Sequence, residues 1–236
     1  MAASAWKKKC ETEWKLKETG IPTPDTVDWK AVYEKKPLGR NLLKNPAPQG
    51  VSHETPPPEH EPTGMFGAEP PRSEPEGDYT GWKKSIEVLP YDTSGIPEGV
   101  VICHLPQHSW LSLEQQVDLK EEGMWDELLD QYQPDIAIQD WYEESQLHKF
   151  IYQLQVKLLG ADGQTVIQEY SFNPEEDTSS FSHTWKEVSH VFSGYGPGVR
   201  YVHFFHKVKN MQMIDFRATL VTDSAVIVRT TKSAPK

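Results

Sequence analysis

The chain has 236 residues, a quarter of them charged, and a net charge of −11 at pH 7. That balance excludes a general nucleic-acid binder, which needs a basic surface to meet phosphates; Lys7, Lys8 and Lys9 are blunted by Glu11 and Glu13 and read as a solvated helix face. No run of 18 apolar residues occurs, so no transmembrane helix is expected, and the length suits one β-sandwich or two small domains.

At the N-terminus, lysines without a following apolar core argue against a secretory signal, and Ala2 excludes the N-myristoylation motif. Asn41, Asn45, Asn173 and Asn210 all fail the glycosylation sequon. Cys10 and Cys103 are too few for a disulfide framework. Together these features predict a reducing, cytoplasmic setting.

In chain order, residues 5–19 predict a short helix, with Trp6, Cys10 and Trp14 at four-residue spacing on one stripe and Pro22 and Pro24 ending it. A second helix is expected over 28–36, N-capped by Asp28, with Trp29, Val32 and Tyr33 on one face. Residues 47–78 are dense in proline and lack apolar periodicity, so an extended, disordered insert is expected there. Pro56-Pro-Pro58 lacks the Pro-x-x-Pro spacing of SH3 ligands, which favours a spacer.

Strands are predicted over 85–89, 99–105, 135–142, 150–159, 164–172, 185–192, 199–206 and 220–229, with one helix over 119–131. Leu154, Val156 and Leu158 alternate with Gln153, Gln155 and Lys157, leaving Tyr152 among the polar set. Ala161-Asp-Gly163 is a tight hairpin turn, and Gly194-Tyr-Gly-Pro-Gly198 is a turn between two strands. The expected class is mainly β: an antiparallel β-sandwich with a few short helices. Its boundaries are an N-terminal helical segment 1–46, the insert 47–78, the sandwich 79–230 and a tail 231–236.

No catalytic constellation emerges, and no enzyme activity, metal or cofactor is expected. Cys103 and His104 are adjacent in a strand and point to opposite faces. His203 and His206 also fall on opposite faces, and the carboxylates between Glu121 and Asp130 form the solvated side of the expected helix. Most of the eight tryptophans sit inside apolar patterns and read as core. An exposed site is expected in a loop over 207–214.

Several motifs occur together in order: Asp28-Trp-Lys with Tyr33, Arg40-Asn-Leu-Leu-x-Asn-Pro46, Val117-Asp-Leu-Lys-x-Glu-Gly-x-Trp-Asp-Glu-Leu-Leu-Asp130, Pro134-x-Ile-x-Ile-x-Asp-Trp-Tyr142, and residues 185–206. They resemble the F-box-associated domain, the substrate-binding half of the sugar-recognising F-box proteins. The resemblance covers residues 5–46 and 82–229. It implies a jelly-roll sandwich with two accompanying helices, and a protein ligand or glycoprotein as partner in ubiquitin-dependent glycoprotein degradation.

In the family an F-box precedes a Trp-Lys-x-Lys-Cys segment. Here Trp6-Lys-Lys-Lys-Cys10 follows the initiator Met closely, so an F-box is expected to be absent and direct recruitment of the ubiquitin-ligase scaffold is not expected. An F-box-less layout also admits a second reading, a plasma-membrane-associated receptor of innate nonspecific cytotoxic cells that recognises target-cell antigen. Sugar-binding members use a Tyr-Trp pair followed by Lys in a late loop and an aromatic residue in an earlier one. By the resemblance, Gln212, Met213 and Ile214 occupy the late positions and His108 the earlier one. Glycan binding is therefore expected to be weakened or lost.

Overall fold

The computed structural model describes residues 3–58, 77–88, 97–99, 107–144, 152–174, 184–212 and 219–232. Eight strands form two antiparallel sheets. They are β1 (Lys83–Val88), β2 (Gln107–Asp118), β3 (Ile136–Glu144), β4 (Tyr152–Leu159), β5 (Val166–Phe172), β6 (Thr184–Phe192), β7 (Tyr201–Gln212) and β8 (Val221–Val228). The larger sheet runs β1-β2-β7-β4-β5 and the smaller β6-β3-β8.

Alternation explains which side of each strand is buried. In β4, Tyr152, Leu154, Val156 and Leu158 face inward and the residues between them are half-exposed. Tyr152 thus belongs to the inward set, because a period of two counted back from Leu154 reaches it. In the neighbouring strand β7, Val202, Phe204, His206 and Val208 continue the same inner wall, each at 1% exposure or less. Ile136, Ile138, Tyr142, Val226 and Val228 close the core from the smaller sheet.

Two short helices pack on the sandwich. Helix α1 (Ala3–Glu13) buries Cys10 completely, and α2 (Trp29–Lys35) buries Trp29 and Val32. Asp28 caps α2 by accepting from the backbone N–H groups of Lys30 and Ala31, both at 3.1 Å. Trp29 meets Trp125 edge to face at 4.9 Å, and Trp125 donates to the Pro22 carbonyl at 2.8 Å. These contacts join the helical segment to the same core.

Several expectations need correction. The helix expected over 119–131 is absent. Strand β2 runs to Asp118, a turn follows through Gly123 (φ 104°), and only a π-helical turn (Leu128–Tyr132) forms. Gly123 in that conformation is incompatible with helix continuation. Strand β2 was not expected from the sequence, and the strand expected over 99–105 lies outside the described residues apart from Gly99. The loop expected over 207–214 is strand as far as Gln212. Gly194–Gly198 joins the two sheets instead of closing a hairpin, since β6 and β7 belong to different sheets.

The first part of the expected insert is docked rather than free. Residues 38–46 follow the edge strand β8: Gly39, Leu42 and Ser224 make backbone bonds to Val228, Val226 and Pro46. Residues 49–55 continue the same path onto the sheet face. An uncovered β8 edge would offer unpaired backbone groups to another chain, and this segment occupies them.

Candidate functional site

Strand direction sets the C-terminal ends of β1, β3, β5 and β7 and the N-terminal ends of β2, β4, β6 and β8 at one end of the sandwich. The register brings Gln107 opposite Gln212, Tyr152 opposite Val208, Leu154 opposite Phe172, Glu144 opposite Thr184, and Tyr142 opposite Val221. The Tyr142 and Tyr152 rings stack across the two sheets at 4.4 Å, which fixes both sheets at this end.

At the opposite end the connections are tied down. Arg200 holds both oxygens of Asp130 at 2.8 and 2.7 Å, and the Gly198 N–H donates to the same carboxylate at 2.8 Å. The Arg200 guanidinium keeps the Asp130 carboxyl below its ordinary value. Tyr195 donates to the Pro134 carbonyl at 2.8 Å, and burial pushes its hydroxyl pKa upward.

Near the loop end lies a closed polar cluster. Asp140, fully buried, accepts from Tyr152 at 2.6 Å and from Ser224 at 2.7 Å, and His206 Nδ1 lies 2.7 Å from the same carboxylate. The four side chains come from β3, β4, β8 and β7, so the cluster bridges the sheets. Burial, reinforced by the adjacent Asp140, drives the Tyr152 hydroxyl well above its usual range. Trp82 stacks on the His206 ring at 5.0 Å, and His206 Nε2 has no hydrogen-bond partner among the described residues.

This cluster has the residue types of a nucleophilic relay but not the geometry. Ser224 and His206 bond to different oxygens of Asp140, so the hydroxyl has no base aimed at it. All four side chains are also closed to solvent. Among the described residues, no group of three His, Cys, Asp or Glu side chains is placed to hold a metal ion.

The residues expected to form the site fall as follows. His108 lies on β2 with Met211 of β7 opposite, and Gln212 pairs with Gln107. His108 and Met211 are 103 residues apart in sequence, and the register sets them opposite each other on adjacent strands. The side chains of His108 and Gln212 are not described, and Met213 and Ile214 lie outside the described residues. The polar cluster was not expected from the sequence: Asp140 falls on the inward side of β3 with Ile136, Ile138 and Tyr142, and that parity was the available signal.

An antiparallel two-sheet sandwich with a closed polar cluster between its sheets is the class these features define. The chain belongs to the F-box-associated family, whose description, "F-box associated region", matches residues 33–228. It is 62% identical over 236 residues to F-box only protein 50 of Danio rerio, covering 99% of this chain and all of that relative. It is 39% identical to the Homo sapiens F-box only protein 50, over 92% of this chain and 72% of the relative. F-box only protein 6 of Bos taurus is 33% identical over 98% of this chain and 81% of its own length.

Proposed function

We propose that this chain is a non-enzymatic recognition protein that holds a protein partner with the connections at the β2/β7 end, and that glycan binding there is weakened or lost. The observation carrying the reading is the register that sets Gln107 and His108 against Gln212 and Met211. This pairing supports the reading, because the family resemblance assigns sugar binding to segments that include His108 on one strand and Gln212, followed by Met213 and Ile214, on the other. A sugar ring packs its C–H face on a flat π surface, which Gln, Met and Ile lack, and Ile214 also supplies no charged donor. Stacking contacts are worth on the order of 1 kcal/mol each, so losing two lowers affinity about tenfold or more.

The closed state of the Asp140 cluster supports the non-enzymatic side of the reading, since its buried groups have no route to a substrate. The family resemblance places such a module in the handling of glycoproteins for ubiquitin-dependent degradation, and the absence of a disulfide framework suits a cytoplasmic setting. The test is affinity capture from cytosol with the tagged chain, before and after enzymatic removal of N-glycans. The captured proteins should persist after deglycosylation. Their disappearance would show that the domain still reads sugars.

A further inference from the structure

Opposite Asp140, strand β8 carries one extra residue: Gln139 pairs with Ala225 and Trp141 with Thr222, so Asp223 and Ser224 together face Asp140. Such a bulge re-aims side chains. Ser224 turns inward to Asp140, while Asp223, at φ 51°, is left half-exposed on the outside of the smaller sheet.

Residues 51–55 lie across that outer face and fill a set of peptide contacts. The Thr222 hydroxyl donates to the Val51 carbonyl at 2.5 Å. Asp223 Oδ2 accepts from the Ser52 hydroxyl at 3.1 Å and the His53 backbone N–H at 2.9 Å, with His53 Nδ1 at 2.5 Å. The His53 ring stacks on Trp141 at 4.0 Å and 8°. Trp185 Nε1 donates to the Thr55 carbonyl at 2.8 Å. Three of these contacts read backbone groups at alternate residues, as a surface built for an extended segment does.

The segment fits the face without being locked to it. None of residues 51–58 is buried, so little apolar surface holds them down. Trp141 Nε1 is enclosed with no acceptor among the described residues, and Asp223 is a non-glycine residue at positive φ. An unmade bond and a strained backbone both weaken the closed arrangement. The Asp78 N–H bonds to the Pro48 carbonyl at 2.8 Å, so the chain leaves and returns at one point that does not depend on residues 51–55.

We propose that Asp223, Trp141, Thr222 and Trp185 form a peptide-binding site, and that residues 51–55 are its tethered occupant, exchangeable for a partner segment of the same chemistry. That chemistry is a hydroxyl residue followed by histidine and, two positions on, a threonine before proline. Asp223 selects the donors, Trp141 the ring, and Trp185 the carbonyl. The site lies on the outer sheet face, and it stands whether the connections at the loop end bind protein or glycan.

The experiment uses the full chain and a fluorescein-labelled peptide copying residues 49–58, followed by anisotropy. In the chain carrying Ser52→Ala and His53→Ala, which removes both side-chain contacts to Asp223 and the ring on Trp141, the tethered segment is loosened and the peptide should bind saturably. The unaltered chain should bind it about tenfold more weakly or worse, because the tethered segment competes at high effective concentration. Adding Asp223→Gly to the loosened chain should abolish binding; glycine accepts the positive φ, so the bulge survives while the carboxylate goes. In the unaltered chain, excess peptide should speed hydrogen exchange at the His53 amide, a readout needing no variant.

No saturable binding, equal affinity in loosened and unaltered chains, indifference to Asp223→Gly, or unchanged exchange at His53 would each overturn the proposal. Dimerisation of the unaltered chain that is lost in Asp223→Gly would assign the face to a second copy's segment and contradict the partner reading.

Discussion

Asp140 ties strands of both sheets together through one carboxylate. Its carboxylate is the shared acceptor for Tyr152, His206 and Ser224, all closed to solvent. Removing it strands three buried polar groups at once, and buried groups left without partners are penalised heavily. Asp140→Ala should lower unfolding free energy by about 3–5 kcal/mol in urea titrations. A loss below about 1 kcal/mol would mean the cluster relaxes or rehydrates. Alternation from Ile136 and Ile138 puts Asp140 inward, but the sequence does not show its partners, because the β8 bulge is what brings Ser224 in to meet it.

Among the elements, the crossing from β6 to β7 depends on a clamp formed by Arg200, Asp130 and the Gly198 N–H. The Asp130 carboxyl titrates below its ordinary 3.8, chiefly through the Arg200 hydrogen bond. A depressed carboxylate favours the folded state fully above its unfolded pKa and loses that contribution as pH falls through the folded value. The stability difference between the unaltered chain and Arg200→Met should therefore be constant above about pH 5 and shrink below about pH 4. A difference that grows on acidification would contradict the clamp.

Element by element, alternation made β3 to β6 and β8 legible within a few residues, whereas β7 runs on to Gln212, past its expected end at His206; the Asp28 cap marked α2 correctly. Strand β2 escaped because Ser, Gln and Glu alternate with Leu111, Leu113 and Val117, and buried Gln115 breaks the apolar side. Gln115 is tolerated inside because it donates to the Lys44 carbonyl and accepts the Lys44 N–H, partners 71 residues away. The helix expected over 119–131 fails for a different reason. Its Leu and Trp residues are spaced well enough for a helix, and Asp118 caps a first turn by accepting from the Lys120 and Glu121 N–H groups, yet Gly123 at φ 104° stops the turn from continuing.

For the whole molecule, the sandwich has one tied end and one end where the C-terminal ends of β1, β3, β5 and β7 lie with the N-terminal ends of the other four strands. The candidate site was legible only as positions in a pattern: His108 and Gln212 were named from separate motifs, and the β2–β7 register is what brings their strands together there. The docking of residues 51–55 could not be read from composition, because proline-rich sequence carries no sign of the Asp223 and Trp141 partners that hold it.

The central claim is that this end no longer reads sugars as the family resemblance implies. Calorimetric titration with chitobiose tests it most directly, run on the unaltered chain and on Gln212→Tyr/Met213→Trp/Ile214→Lys. The unaltered chain should give no heat of binding into the millimolar range, and the triple variant should gain affinity about tenfold or more from its two rings. Micromolar binding by the unaltered chain would contradict the account.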